Sequence, residues 1–191
     1  MKLIVSGAAG RMGRAILESL YQEEELTLGA ALEKKGHPMI GKDAGALIGI
    51  EKWGVVVSDK IKKAVPAGDV IIDFTSPQET LSLVQEALPK QKPVVIGTTG
   101  FNADQEKKLM QAAQKIPIVL SPNMSIGVNV LFRLLSDAAK ALGEAYDIEI
   151  VEMHHRHKKD APSGTALRMG EVLAVARGKS LPQVGDRKSV V

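Results

Sequence analysis

The feature that most constrains this chain is a glycine turn between a short apolar run and a helical pattern. Leu3-Ile-Val5 precedes Gly7, Gly10 and Gly13, and apolar residues then recur at helical spacing over residues 15–20. Glycine at such positions lets the backbone turn tightly and approach a pyrophosphate at the helix N-terminus. The pattern predicts strand, dinucleotide-binding turn and helix. Tight strand–helix packing is the alternative explanation of the glycines.

An acidic residue stands where a dinucleotide-binding domain uses one. Glu33 closes the second apolar run, about 20 residues after the turn, where a carboxylate binds ribose hydroxyls. Its charge disfavours a 2′-phosphate, whereas Lys34, Lys35 and Arg11 favour one. The sequence therefore predicts NADH or NADPH as the cofactor and leaves the choice between them open.

Short apolar runs alternate with helical patterns over the first 126 residues. Continuous apolar runs are typical of strands that are buried on both faces of a parallel sheet. We therefore predict an α/β fold, a doubly wound parallel Rossmann sheet, for residues 1–126, with an irregular loop over residues 34–52. The predicted strands are Leu3–Val5, Leu26–Leu32, Val55–Val57, Val70–Ile72, Pro93–Ile96 and Ile118–Leu120.

The pattern changes after residue 127. Apolar spacing predicts a helix over residues 131–142, and alternation over residues 146–150 predicts a strand with one exposed face. A further helix is predicted over residues 165–177. Residues 127–191 are therefore expected to form the first part of a second, α+β domain.

The composition limits the classes of partner that the chain is expected to bind. The 25 basic residues are scattered and the net charge is only +3, which is not the footprint of a nucleic-acid-binding protein. No apolar run approaches the roughly 20 residues that span a membrane. The chain has no cysteine, which fits a reducing compartment. We expect a cytoplasmic protein that binds a small molecule, neither nucleic acid nor membrane.

A histidine-rich stretch, Glu152–Ala166, is the strongest candidate for chemistry. Imidazole titrates near neutral pH and can donate a proton, and lysine can stabilise a developing anion. The stretch ends in Ser163-Gly-Thr165, which reads as a helix start whose amides can bind a carboxylate, with Ser163 as a cap rather than a nucleophile. No metal site is predicted. The candidate side chains are His154, His155 and Lys158, whereas His157 is expected to face solvent or pack and Lys159 to be solvated.

Together these motifs resemble the dihydrodipicolinate reductases, also called 4-hydroxy-tetrahydrodipicolinate reductases, of lysine and diaminopimelate biosynthesis. The resemblance covers Met1 to about Gly178. The motifs that carry it are Gly7-Ala-Ala-Gly-Arg-Met-Gly13, Asp73-Phe-Thr75, Val95-Ile-Gly-Thr-Thr-Gly-Phe101, Asn123-Met-Ser-Ile-Gly-Val-Asn129 and Glu152–Ala166.

The resemblance implies an NAD(P)H-dependent reduction of a small cyclic dicarboxylate. It implies that His154 is the proton donor, that Lys158 is its catalytic partner, and that His155, Gly164 and Thr165 bind the substrate. The residues that it places against the cofactor are Gly7, Ala8, Ala9, Gly10, Arg11, Met12, Glu33, Lys34, Gly97, Thr98, Thr99, Ser121, Pro122, Asn123 and Met124.

Two departures from the family pattern are expected, one at a single residue and one at the end of the chain. Met124 stands where many members have phenylalanine, a tolerable change in an apolar wall. Family chains continue past Val191, and the continuation supplies further strands of the domain that builds a homotetramer. Residues 183–191 do not match the family pattern. Two alternatives stay open: another amino-acid-pathway dehydrogenase, and a dinucleotide-binding module without turnover.

Overall fold

The computed structural model describes residues 1–156 and 161–186. The chain divides into two compact units, Met1–Ser121 and Pro122–Val191. The domain boundary predicted after residue 126 stays a prediction, because compactness alone does not define a domain.

A six-stranded sheet forms the centre of the first unit. The strand order is β3-β2-β1-β4-β5-β6 and every pairing within it is parallel. This is the order of the doubly wound dinucleotide-binding fold, so the predicted fold class is confirmed. The strands are β1 Lys2–Ser6, β2 Thr27–Leu32, β3 Val57–Ser58, β4 Val70–Asp73, β5 Val94–Ile96 and β6 Ile118–Leu120.

Side chains alternate between the two faces of the sheet, and each face has its own apolar core. Leu3 and Val5 of β1 pack in one core with Leu17. Ile4, between them, belongs to the other core with Leu83. The strand β6 departs from the predicted burial on both faces, because it is an edge strand with Val119 57% and Leu120 42% exposed. The helices of this unit are α1 Arg11–Tyr21, α2 Ile61–Ala64, α3 Pro77–Ala87 and α4 Ala103–Ala113.

The predicted loop after β2 is organised by one carboxylate. Asp43 accepts hydrogen bonds from the amides of Trp53 at 2.7 Å, Gly45 at 2.8 Å and Gly54 at 2.8 Å. These amides, that of Trp53 foremost, hold the pKa of Asp43 below its ordinary value. A loop without hydrophobic periodicity therefore keeps a defined shape through charge-assisted hydrogen bonds.

The second unit contains three α-helices in its described part: α5 Ile126–Leu142, α6 Gly164–Ala176 and α7 Leu181–Val184. Helices α5 and α6 pack against each other, and Leu181 of α7 packs on Gly170 of α6. The two long helices confirm the predicted ones over residues 131–142 and 165–177.

The strand predicted over residues 146–150 is wrong. Tyr146 has an extended backbone, but a strand needs a neighbour to complete its hydrogen bonds, and the described part of the second unit offers none. Side-chain bonds hold this region instead: the Arg177 guanidinium donates to the Tyr146 carbonyl at 2.6 Å, and Lys179 pairs with Glu144 at 2.7 Å. Across both units, no described helix has the length and apolar character needed to cross a bilayer.

Candidate cofactor and substrate sites

The three glycines of the turn occupy their positions for different physical reasons. Gly7 has a φ of 76°, and a Cβ there would lie 2.6 Å from the carbonyl oxygen of Phe74. A Cβ on Gly13 would overlap the carbonyl oxygen of Gly7, so tight strand–helix packing accounts for Gly13. Gly10 is the N-cap of α1. The turn therefore needs glycine for its own fold and also brings bare backbone to the start of a helix.

The N-terminus of α1 is suited to an anion. Gly10 is exposed and has no side chain with which to cap the first turn, and no acidic residue lies in that turn. The first amides of a helix have no partner within it, and the helix dipole favours negative charge there. Arg11 and Met12 are exposed in the same turn. These groups fit a pyrophosphate.

Glu33 is joined to the glycine turn. Its Oε2 accepts a hydrogen bond from the Ala9 amide at 3.0 Å, and its Oε1 accepts one from the Lys34 amide at 3.0 Å. The pairing of Ser6 with Leu32 places the end of β2 beside the turn. A carboxylate has about four acceptor positions, and these two amides occupy two of them.

A cavity of about 600 Å³ lies at the carboxyl ends of the strands. Ser6 pairs with Asp73 across β1 and β4, the point at which the strand order reverses and where ligands bind in such sheets. Predicted residues in its lining are Gly7, Ala9, Gly10, Glu33 and Lys34. The lining also contains Ser6, Leu32, Lys35, His37, Asp59, Ile61, Phe74, Thr75, Ser76 and Glu79.

Most of these additional residues follow β3 or β4, and only the strand order brings them to the turn. The motif Asp73-Phe-Thr75 was the available signal, since it directly follows a predicted strand. Ala8 lies outside the lining, because it is buried and donates its amide to the Leu32 carbonyl at 3.0 Å. Its predicted contact with the cofactor stays a prediction, as do those of Arg11 and Met12.

A buried carboxylate links the loops after β4 and β5. Asp73 is fully buried and accepts hydrogen bonds from the hydroxyls of Thr75 at 2.9 Å, Thr98 at 3.1 Å and Thr80. The Thr75 amide donates to the Thr98 hydroxyl at 2.9 Å. Thr98 therefore has a structural task beside its predicted role at the cofactor.

The remaining predicted cofactor residues lie after β5 and β6. Gly97 gives room to the Phe74 ring, which a Cβ would overlap, and Thr99 is exposed. Ser121 ends the first unit and donates its amide to the Ile96 carbonyl at 3.1 Å. Pro122, Asn123 and Met124 belong to the second unit, where Met124 is exposed. Their contact with a cofactor remains a prediction.

In the second unit, Glu152 clamps the start of α6. Its Oε1 accepts a hydrogen bond from the Ser163 amide at 2.7 Å, and its Oε2 accepts one from the Ser163 hydroxyl. The Nδ1 atom of His154 lies 3.7 Å from the same Oε2 atom. One carboxylate thus contacts both the histidine segment and the helix start.

The histidines themselves are accessible. The side chain of His154 is 37% exposed, and His155 is also exposed. Lys158, the predicted partner of His154, lies outside the described residues. Where the structure describes the chain, no three His, Asp or Glu side chains form a cluster suited to a metal ion.

The start of α6 has room for a ligand. Ser163 caps the helix as predicted, with its hydroxyl accepting from the Ala166 amide at 3.1 Å. A Cβ on Gly164 would meet no described atom within 4 Å, so packing does not require glycine there. The amides of Gly164 and Thr165 lie in the first turn, where the helix provides no acceptor. This arrangement fits a carboxylate.

Comparison with known proteins assigns both parts of the chain to one family. The family model for the N-terminus of dihydrodipicolinate reductase matches residues 1–124, and the model for its C-terminus matches residues 127–189. The chain belongs to the dihydrodipicolinate reductase family. The predicted resemblance is therefore confirmed. The match also extends further than predicted. The C-terminal model reaches residue 189, so the mismatch expected over residues 183–191 is wrong as far as residue 189. No single motif in that part of the sequence signals the match.

Similar family members come from several bacteria. The 4-hydroxy-tetrahydrodipicolinate reductase of Anaeromyxobacter dehalogenans is 51% identical over 94% of this chain and 66% of its own length. That of Syntrophus aciditrophicus is 47% identical over 100% of this chain and 72% of its own. The solved dipicolinate-bound dihydrodipicolinate reductase of Paenisporosarcina superposes with a TM-score of 0.74 at 26% identity, covering 100% of this chain and 72% of the other. The chain thus spans about two-thirds of the length of these curated relatives.

Proposed function

We propose that this chain carries the cofactor site and the proton-donating site of a 4-hydroxy-tetrahydrodipicolinate reductase that uses NADH or NADPH. The observation that carries the proposal is the shared contact of Glu152 with His154 and Ser163. It joins a proton donor to an open helix start suited to a carboxylate. Membership of the reductase family supports the assignment.

The first unit would hold the dinucleotide. The start of α1 would bind the pyrophosphate and Glu33 the ribose hydroxyls, because both lie at one cavity. Lys34, Lys35 and His37 line the same cavity and are the residues that would accept a 2′-phosphate. When bound, the nicotinamide supplies a hydride to the substrate.

The second unit would hold the substrate and complete the reduction. The 4-hydroxyl group of the substrate leaves as water, which forms a ring double bond. The hydride adds to one end of that double bond, and the atom at the other end gains an electron pair that must bind a proton. His154 would donate that proton, Lys158 would stabilise the developing anion, and the Gly164 and Thr165 amides would bind a carboxylate. His155 would contact the substrate beside them.

The test is an assay with freshly generated 4-hydroxy-tetrahydrodipicolinate, following nicotinamide oxidation with NADH and with NADPH. The parent chain should oxidise the cofactor only when substrate is present. His154→Gln should lower kcat by roughly 100-fold or more, the usual contribution of general acid catalysis. Its NADH affinity should be unchanged, because His154 does not line the cofactor cavity.

The alternatives give different results in the same assay. Nucleotide binding without oxidation would identify a binding module. Oxidation only with other amino-acid-pathway aldehydes or alcohols would identify another dehydrogenase. Homotetramer formation, proposed for longer family chains, is measured independently by light scattering of this chain.

A further inference from the structure

Glu152 contacts both Ser163 and His154, although it has no role of its own in the proposed reaction. It is only partly exposed, and both of its carboxylate oxygens face named partners. Ser163 donates two hydrogen bonds to it, one from the amide and one from the hydroxyl. Glu152 and Ser163 bracket residues 153–162, the part of the chain that contains His154, His155 and Lys158. The contact between these two residues therefore joins the two ends of the segment that carries the proposed chemistry.

The second relationship concerns His154. Its Nδ1 atom lies 3.7 Å from Oε2 of Glu152, which is within ion-pair range and slightly longer than a hydrogen bond. Carboxylates that face one ring nitrogen of a histidine fix which nitrogen carries the proton and orient the ring. The other nitrogen, Nε2, is then the one that exchanges a proton with a substrate.

We propose that Glu152 is a positioning residue for the reaction, which orients His154 through Nδ1 and holds the carboxylate-binding start of α6 through Ser163. This inference rests on the proposed function. In the proton-transfer step the Nε2–H bond of the imidazolium breaks, and the substrate atom that gained electron density forms a bond to that proton. The neutral imidazole that remains carries its proton on Nδ1, facing Glu152. A single carboxylate thereby aligns the proton donor with the bound substrate.

Glu152→Gln tests this role, with Glu149→Gln as the matched control. Glu149 is exposed three residues earlier, so its replacement makes the same change of charge. Glu152→Gln should lower kcat by about tenfold, less than the loss expected when the proton donor itself is removed. NADH affinity should stay unchanged in both variants, since Glu152 lies outside the cofactor cavity.

Ser163→Ala separates positioning of His154 from support of the helix start. This variant removes the hydroxyl bonds to Glu152 and to the Ala166 amide but leaves Glu152 beside His154. We expect Ser163→Ala mainly to raise KM for the dicarboxylate, and Glu152→Gln to lower kcat as well. An equal loss of kcat in both variants would assign Glu152 to the helix start alone and overturn the proposal.

A readout that does not need turnover comes from the ¹⁵N shifts of the His154 ring, assigned by comparison with His154→Gln. In the parent and in Glu149→Gln, neutral His154 should carry its proton on Nδ1. In Glu152→Gln that preference should be lost. Unchanged ring shifts would overturn the proposal. Absence of reductase activity in the parent, with altered shifts in Glu152→Gln, would instead reject the proposed function and retain the Glu152–His154 relationship.

Discussion

The Oε2 atom of Glu33 accepts a hydrogen bond from the amide of Ala9 at 3.0 Å. The acidic end of β2 and the glycine turn after β1 are therefore one connected structure. A residue predicted only to bind ribose also fixes the backbone proposed to bind the pyrophosphate. Changes at Glu33 should accordingly affect both ends of the nucleotide site.

Glu33→Ala should weaken NADH binding by roughly 10- to 100-fold, because a hydrogen bond to a charged group contributes about 1.5–3 kcal/mol. NADPH binding should weaken less, since the variant also removes a negative charge near the 2′ position. Fluorescence titration of both nucleotides measures the two affinities. Glu24→Ala, an exposed acid before β2, is the control. Equal NADH affinity in the parent and in Glu33→Ala would remove Glu33 from the site.

Thr98→Val should destabilise the first unit by about 1–3 kcal/mol, the cost of leaving a buried polar group unsatisfied. The change removes the hydroxyl that donates to Asp73 and accepts from the Thr75 amide. Urea unfolding measures the effect, and Thr99→Val at the neighbouring exposed position should stay within about 0.5 kcal/mol of the parent. Equal stability of the two variants would contradict the structural role of Thr98.

Gly164→Ala should leave the thermal unfolding temperature near that of the parent, because a Cβ there meets no described atom within 4 Å. Substrate KM should nevertheless rise, since the methyl group would occupy the space proposed for a carboxylate. Steady-state kinetics and calorimetry together separate the two effects. Gly127→Ala in α5, where a Cβ is also free of close contacts, is the matched control. A large loss of stability in Gly164→Ala would show that packing, not ligand access, requires this glycine.

Acid should release the loop around Asp43. The pKa of Asp43 is lower in the folded chain than its ordinary 3.8, mainly because the Trp53 and Gly45 amides donate to the carboxylate. The stabilisation is therefore fully present above the ordinary value and is lost as the pH falls through the lowered pKa. Trp53 is the chain's one tryptophan and its ring contacts Tyr21 edge-on at 5.4 Å, so its fluorescence reports the loop.

Asp43→Asn is the companion variant. It should show the altered Trp53 fluorescence already at neutral pH and should lack the acid transition. A transition identical to that of the parent would assign the change to other carboxylates.

The sequence predicted the sheet well because its strands are short apolar runs separated by clear turns. It also located Glu33, since the spacing between the glycine turn and the end of β2 is set by one strand–helix–strand unit. It did not identify Ser76 or His37 as cavity residues. Their place depends on which strands are neighbours, and that order is a property of the folded sheet.

Two other features lay outside local patterns. Alternation over residues 146–150 suits a strand, but the absence of a partner strand in the described part of the second unit decides against one. The contact between Glu152 and Ser163 joins two ends of an irregular segment, and no helical or strand pattern in the sequence predicts that they meet. Chemistry of the individual side chains was readable from the sequence, whereas their pairing was not.

The parallel pairing at the centre of the sheet has a consequence for how the chain folds. Leu3 of β1 pairs with Val70 of β4, so this pairing at the centre of the sheet can form only after the chain that contains β2 and β3 has been synthesised. Such long-range pairing slows folding, because the entropy of closing the loop is lost before the contact forms. During synthesis, one edge of β1 therefore stays unpaired until β4 has emerged from the ribosome. An unpaired strand edge favours aggregation during that interval.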